Sequence, residues 1–271
     1  MAAASRLKRL AYQARHVPLV GGVVAGAYRR HFESARGKHV RLFHGVYPTF
    51  AAAANAIPPG GLAGYDNEPS ATRVLDEWLD VYASDYPVMF WLEKLLREAR
   101  FVFDWGGNVG LKYFAFRRYL DYPAALTWLV AEVPAIAELG AQIARRESAE
   151  ALRFTTELDE LPRADILLAA GALHFIEEPF ERLRAAPQLP RHLLLNKVPA
   201  YAMPSAVTLH NMGTAFCPYH LFNRDELVHV IESLGYELVD EWRSPDLGCE
   251  IPFSPDHSIG AYSGFYFTKS R

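Results

Sequence analysis

Two acidic residues and a glycine turn carry most of the chemistry legible in this chain. Asp104 ends the apolar run Phe101-Val-Phe-Asp104, and Trp-Gly106-Gly107-Asn108-Val-Gly110 follows at once. Glycines there let the backbone bend tightly and approach a ligand, and the helix expected next presents unpaired amides. In open α/β sheets, ligands lie at this place, beyond the carboxyl ends of the strands. Glu132 closes a second apolar run, Trp128-Leu-Val-Ala-Glu132, 28 residues after Asp104. A carboxylate at that position can accept both hydroxyls of a ribose, as an adenosine-bearing ligand requires. The spacing argues against a nicotinamide cofactor. A GxGxxG fingerprint begun at Gly106 needs glycine at positions 108 and 111, which are Asn108 and Leu111.

The elements that must hold these residues divide the chain in two. Residues up to about Leu96 read as helices and loops: Thr49–Ile57, Ala71–Ala83 with an apolar stripe, and amphipathic Tyr86–Arg100. From Arg100 onward, short apolar strands alternate with helices. Strands are expected at Phe101–Asp104, Leu126–Ala131, Leu152–Thr155, Asp165–Ala170 and His192–Asn196, with helices at Asn108–Leu120, Val133–Arg146, His174–Ala186 and Arg224–Leu234. Near-continuous apolar strands with helical crossovers indicate a doubly wound, mostly parallel sheet. Tyr236–Trp242 and Ser263–Thr268 complete seven strands as an antiparallel pair at its edge. The expected division is a helical extension with a basic arm over 1–96 and the α/β domain over 97–271.

Composition fits a globular protein: 51% of the 271 residues are hydrophobic and 22% charged, too apolar for disorder. A net charge of −3 gives no basic field for nucleic acid. The two cysteines, Cys217 and Cys249, form no CxxC and no zinc-spaced set, so free thiols in a reducing, cytoplasmic setting are expected. Charge is nonetheless uneven. Up to Arg41 there are nine Lys or Arg against the single acid Glu33, around an apolar run, Val17–Ala27. That run is shorter than the ~20 residues a membrane span needs. The reading is a basic helical arm folded on an acidic body, with peripheral contact at a membrane surface as the alternative. No metal site is expected, because His210 and His220 have no carboxylate at ligand spacing.

The spacing Asp104-x-Gly106-x-x-x-Gly110 resembles motif I of S-adenosylmethionine-dependent methyltransferases, with Asn108 at a position usually held by glycine. Asn tolerates unusual backbone angles well. Asp165-to-Phe175 resembles motif IV of the same superfamily. Together with Trp128–Pro134, Asp165–Pro179, His210-Asn211-Met-Gly213, Pro218-Tyr219 and Gly235–Trp242, these stretches resemble a family of bacterial S-adenosylmethionine-dependent methyltransferases associated with surface-polysaccharide gene clusters. The likeness extends over nearly the whole chain and implies a seven-stranded Rossmann-like methyltransferase sheet.

The resemblance implies S-adenosyl-L-methionine as cofactor. Asp104, Gly106, Gly107, Asn108 and Gly110 would lie against its methionine part, with Asp104 oriented toward the ammonium. Glu132 would hold the ribose, Thr156, Glu157 and Leu158 the adenine, and Ala170 and Gly171 would face the sulfonium. His174 occupies a place where some O-methyltransferases carry a base. An imidazole titrating near ~6.5 suits removal of a hydroxyl proton, and His210 is the alternative. The polar, aromatic insertion Asn196–His220 is expected to shape the acceptor pocket through Asn211, Tyr219 and His220. The expected activity is O-methylation of a sugar or other small hydroxylated acceptor. Competing readings are a nicotinamide-dependent sugar-modifying enzyme, or a non-catalytic module docking on membrane or a glycosyltransferase.

Overall fold

The computed structural model describes residues 18–37, 39–72 and 79–269. In chain order the elements are α1 (Pro18–Ser34), β1 (Leu42–Tyr47), α2 (Phe50–Ala54), α3 (Glu68–Thr72), α4 (Tyr86–Leu95), β2 (Phe101–Trp105), α5 (Leu111–Phe116), β3 (Thr127–Ala131), α6 (Pro134–Arg146), β4 (Leu152–Thr155) and β5 (Ile166–Ala170). Then follow α7 (Pro179–Ala185), β6 (His192–Val198), β7 (Ala200–Tyr201), β8 (Ala206–Asn211), β9 (Phe216–Asn223), α8 (Arg224–Ser233), β10 (Tyr236–Ser244) and β11 (Tyr262–Lys269).

Seven strands form the main sheet in the order β10-β11-β6-β5-β2-β3-β4. The five from β6 to β4 run parallel, while β11 is antiparallel to both β6 and β10. Chain order reverses between β5 and β2, so the loops leaving these two strands diverge and open a crevice at their carboxyl ends. Side-chain alternation explains why both faces are covered. Val102, Trp128, Val130, Leu168 and Leu194 pack with Val88, Leu92, Phe114 and Ile136 on one face. Their neighbours in sequence, Phe103, Leu129, Leu167, Leu193 and Leu195, pack with Leu183, Leu227 and Ile231 on the other. Each such buried side chain contributes roughly 1.5–3 kcal/mol of transfer free energy.

Local backbone chemistry shortens three helices relative to expectation. Instead of starting at Asn108, α5 starts at Leu111, because Asn108 (φ 55°) and Gly110 (φ 88°) both lie in the left-handed region. The helix expected over His174–Ala186 is interrupted. One 3-10 turn spans Leu173–Phe175, and α7 begins only at Pro179, whose ring disfavours a helical residue before it. In the N-terminal part α2 covers Phe50–Ala54 only, capped by Thr49, which accepts from the Ala52 amide at 3.1 Å. Much of the helix expected over Ala71–Ala83, at residues 73–78, lies outside the described residues, as do Arg6, Lys8, Arg9 and Arg15 of the basic arm.

The largest correction concerns the insertion after β6 and the segment before α2. Both contain strands. β1 pairs antiparallel with β8, matching Leu42 to Asn211 and Phe43 to His210, and β8 pairs antiparallel with β9. With β7 they form a second sheet in the order β1-β8-β9-β7. The insertion therefore is not a loop. Val207 and Leu209 alternate with Thr208 and His210, a polar-looking pattern that is nonetheless buried throughout, and the strand that pairs with it lies about 160 residues upstream. Among the described residues no helix is long and apolar enough to cross a membrane.

Candidate functional site

A cavity of about 540 Å³ opens where the main sheet reverses its order. Loops after four consecutive strands build its floor. Trp105 ends β2 and Gly106 and Asn108 follow it, Glu132 and Val133 follow β3, Thr156 and Leu158 follow β4, and Ala170 ends β5 with Gly171 and Ala172 after it. Phe50, Tyr65, Phe175, Ile176, Glu177 and Arg182 close the rest.

The floor is shaped by backbone that only small residues permit. Gly106 (φ 73°) lies so close to the loop after β5 that an added Cβ would stand 2.2 Å from the Ala172 Cβ. Gly107 covers the Asp104 carboxylate, with room of 2.3 Å between a hypothetical Cβ and Asp104 Oδ2. Asp104 itself is wholly buried. Trp128 Nε1 donates to its Oδ2 at 3.0 Å, while its Oδ1 has no hydrogen-bond partner among the described residues. Burial pushes its carboxyl up to about 7. Asp104 thus sits beneath the turn and outside the cavity lining.

Glu132 is placed differently. Its Oε1 accepts from the Asn108 amide and its Oε2 from the Val133 amide, each at 3.0 Å, so the carboxylate is fixed in the cavity wall by the glycine turn and by the start of α6. Asn108 adopts its left-handed angle with its own Oδ1 accepting from the Val109 amide at 2.8 Å. Burial raises Glu132 to about 7 as well, against the opposing pull of those two amides. A carboxylate held by one donor per oxygen keeps lone pairs for two further donors.

Of the residues expected to hold a nucleoside ligand, Gly106, Asn108, Glu132, Thr156, Leu158, Ala170 and Gly171 line this one cavity. Asp104, Gly107, Gly110 and Glu157 do not. Gly110 caps α5 against Leu152, and the Glu157 amide turns back onto the Thr155 hydroxyl.

The expected catalytic and acceptor residues are brought together, but behind the wall. His174 is buried, its ring 4.2 Å from that of Tyr219 and 4.5 Å from that of Phe175. Its Nδ1 has no partner among the described residues, and burial, then Arg41 and His220, holds its imidazole well below the ordinary range. His210 stacks on Phe43 at 4.5 Å. Tyr219 shares a 2.6 Å hydroxyl bond with Tyr262, which also accepts from Arg41. Asn211 is committed to the carbonyls of Phe32 and Ala35 at the end of α1 and to the Gly213 amide. His220 donates to the Glu177 carbonyl at 2.9 Å and packs on Phe50, supporting two lining residues without lining the cavity itself. None of His174, His210, Asn211, Tyr219 and His220 lines this cavity, whose remaining wall includes Phe50, Tyr65, Trp105, Phe175 and Glu177. Trp105 and Phe175 sit inside the conspicuous stretches of sequence, whereas Phe50 and Tyr65 flank turns of a region that shows no chemistry by itself.

No protein-family model and no curated protein matches the chain. Solved structures do. The CcbJ methyltransferase from Streptomyces caelestis is 16% identical, with a TM-score of 0.50 over 77% of this chain and 99% of that one. OxaC, solved in complex with S-adenosylhomocysteine and oxaline, is 13% identical, with a TM-score of 0.50 over 74% of this chain and 50% of that one. The 1,6-didemethyltoxoflavin-N1-methyltransferase of Burkholderia thailandensis is 20% identical, with a TM-score of 0.47 over 72% and 82%. The main sheet thus has the fold of S-adenosylmethionine-dependent methyltransferases.

Proposed function

We propose that the chain is an S-adenosyl-L-methionine-dependent methyltransferase acting on a hydroxyl of a sugar or other small acceptor. The observation that carries this reading is Glu132, a carboxylate fixed by two amides in the wall of a cavity that opens on the Gly106 turn at the sheet's point of reversal. The residues present fit the donor. Glu132 accepts the ribose hydroxyls, Thr156 and Leu158 flank the adenine, and the bare backbone of Gly106 and Gly171 leaves room for the thioether chain. When bound, the donor supplies an electrophilic methyl on a sulfonium.

The protein's work is then mainly alignment and exclusion of water. Phe50, Tyr65 and Phe175 bring aromatic rings to the cavity lining, with Tyr65 and Phe175 edge to face at 5.4 Å. Aromatic faces suit the apolar side of a sugar ring. Proton removal from the acceptor falls to Glu177, the lining carboxylate other than Glu132. A place in surface-polysaccharide synthesis, on the cytoplasmic side, belongs to the same reading.

Calorimetric titration with S-adenosylhomocysteine is the test, and one-to-one binding at micromolar affinity is expected. No heat up to millimolar ligand would end the proposal. Glu177→Gln should then lower turnover at least tenfold with unchanged S-adenosylhomocysteine affinity. Full turnover in that variant would remove Glu177 from the chemistry.

A further inference from the structure

Beside the cavity lies a charge cluster that the function above leaves unused. Asp85, wholly buried, takes Lys112 Nζ on Oδ2 at 2.7 Å and Lys197 Nζ on Oδ1 at 3.1 Å. One carboxylate therefore serves two ammonium groups. Asp104 makes no ion pair with either lysine, and burial raises its carboxyl, which disfavours the charged form that could balance them. A positive charge thus remains in surroundings that favour neutralising it. Burial and the neighbouring Lys112 bring Lys197 down to about 8 in spite of Asp85.

Two further observations give the surplus charge a direction. Lys197 holds a left-handed backbone (φ 58°) that β-strand residues do not ordinarily adopt, and its side chain keeps 15% exposure. Its Cδ would be 3.7 Å from a Cβ on Gly171, which lines the cavity. The sheet order β6-β5-β2-β3-β4 puts Thr156, Glu132, Gly106, Gly171 and Lys197 in a row at the strand ends. A ligand with its adenosine at the β3–β4 end extends along that row toward Lys197.

We infer that Lys112 and Lys197, poised on Asp85, form an anion subsite that takes a carboxylate or phosphate group of a ligand bound in the adjoining cavity. The position of the ligand rests on the methyltransferase reading, whereas the surplus charge does not. Two sources share the chemistry: the amino-acid end of the methyl donor, or an acidic acceptor such as a uronic acid or a phosphorylated sugar.

Lys197→Met tests this, since it leaves Asp85 paired with Lys112, and Lys197→Arg restores the charge. The titrants are S-adenosylhomocysteine, 5′-methylthioadenosine (the same thioether without the amino acid), glucuronate and inorganic phosphate. A tenfold loss for S-adenosylhomocysteine with no loss for methylthioadenosine, recovered in Lys197→Arg, supports the subsite with the donor as source. A tenfold loss for glucuronate or phosphate alone supports it with the acceptor as source. Unchanged affinity for all four, or equal losses for both thioethers, overturns it. Should the unaltered protein bind neither thioether, the methyltransferase reading fails, and the glucuronate and phosphate titrations still decide the anion subsite.

Discussion

Glu132→Ala is expected to weaken S-adenosylhomocysteine binding about 100-fold. Two hydrogen bonds to an ionised carboxylate, at about 1.5 kcal/mol each or more, amount to about 3 kcal/mol, and each ~1.4 kcal/mol is a factor of ten. The change leaves both apolar faces of the core intact but takes the acceptor from the Asn108 and Val133 amides, so circular dichroism of the variant is the folding control. Titration of this group supplies an internal check. Ribose hydroxyls donate to the ionised form, so binding favours proton release from a group held near 7 in the free protein. Affinity should therefore rise with pH and level off above about 7, and Glu132→Gln should flatten the profile. Calorimetry between pH 5.5 and 8.5 reads both effects. A loss smaller than threefold in Glu132→Ala, with the pH slope intact, would sink the ribose assignment. Stability of the free protein runs the opposite way. Asp104 and Glu132 both bind protons more tightly when folded, so their contribution falls as pH climbs from the ordinary carboxylate range to about 7.

Asp85→Ala is the most damaging single change we anticipate for stability, at about 3–5 kcal/mol. It strips the counter-charge from Lys112 and Lys197 while both stay largely inside the protein. It also removes an acceptor from the Tyr82 amide and one of two from the Asn196 side chain, which donate to Asp85 at 3.1 and 3.3 Å. Burial alone would raise this carboxyl, and the two lysines overcome it to hold the group below its ordinary value. The contribution is thus present at neutral pH and lost as pH falls through that lowered value. Urea unfolding at pH 7 measures the loss, which would consume a large share of a typical domain's 5–15 kcal/mol. The double variant Asp85→Ala/Lys197→Met should regain part of it, since one unpaired cation replaces two. A change below about 1 kcal/mol would mean that water reaches the lysines freely.

The parallel sheet was legible because its strands are short, apolar on both faces and separated by helices, as in Thr127–Ala131 and Ile166–Ala170. Glu132 and Gly106 were legible for a related reason: an acid or glycine ending such a strand falls at the crevice whatever the details. Side-chain direction was not. Asp104 has the right position in sequence, yet its carboxylate turns under Gly107 to meet Trp128. His174 and Phe175 are neighbours in a 3-10 turn with their rings 4.5 Å apart, yet only Phe175 lines the cavity. Phe50 and Tyr65 escaped because only tertiary packing carries them to the cavity. The cluster on Asp85 draws on three separated elements, and none of its residues stands out locally.

The pairing of Leu42–Tyr47 with Ala206–Asn211 has a consequence for how the molecule is assembled during synthesis. A strand that emerges early must wait, unpaired, until the ribosome has made its partner about 160 residues later. Contacts this far apart in sequence close late, because their loop entropy must be overcome before they stabilise anything. The parallel sheet, whose strands follow one another closely, can collapse first. Phe50, three residues after the waiting strand, takes its place only when that strand docks, so the aromatic side of the cavity is completed last.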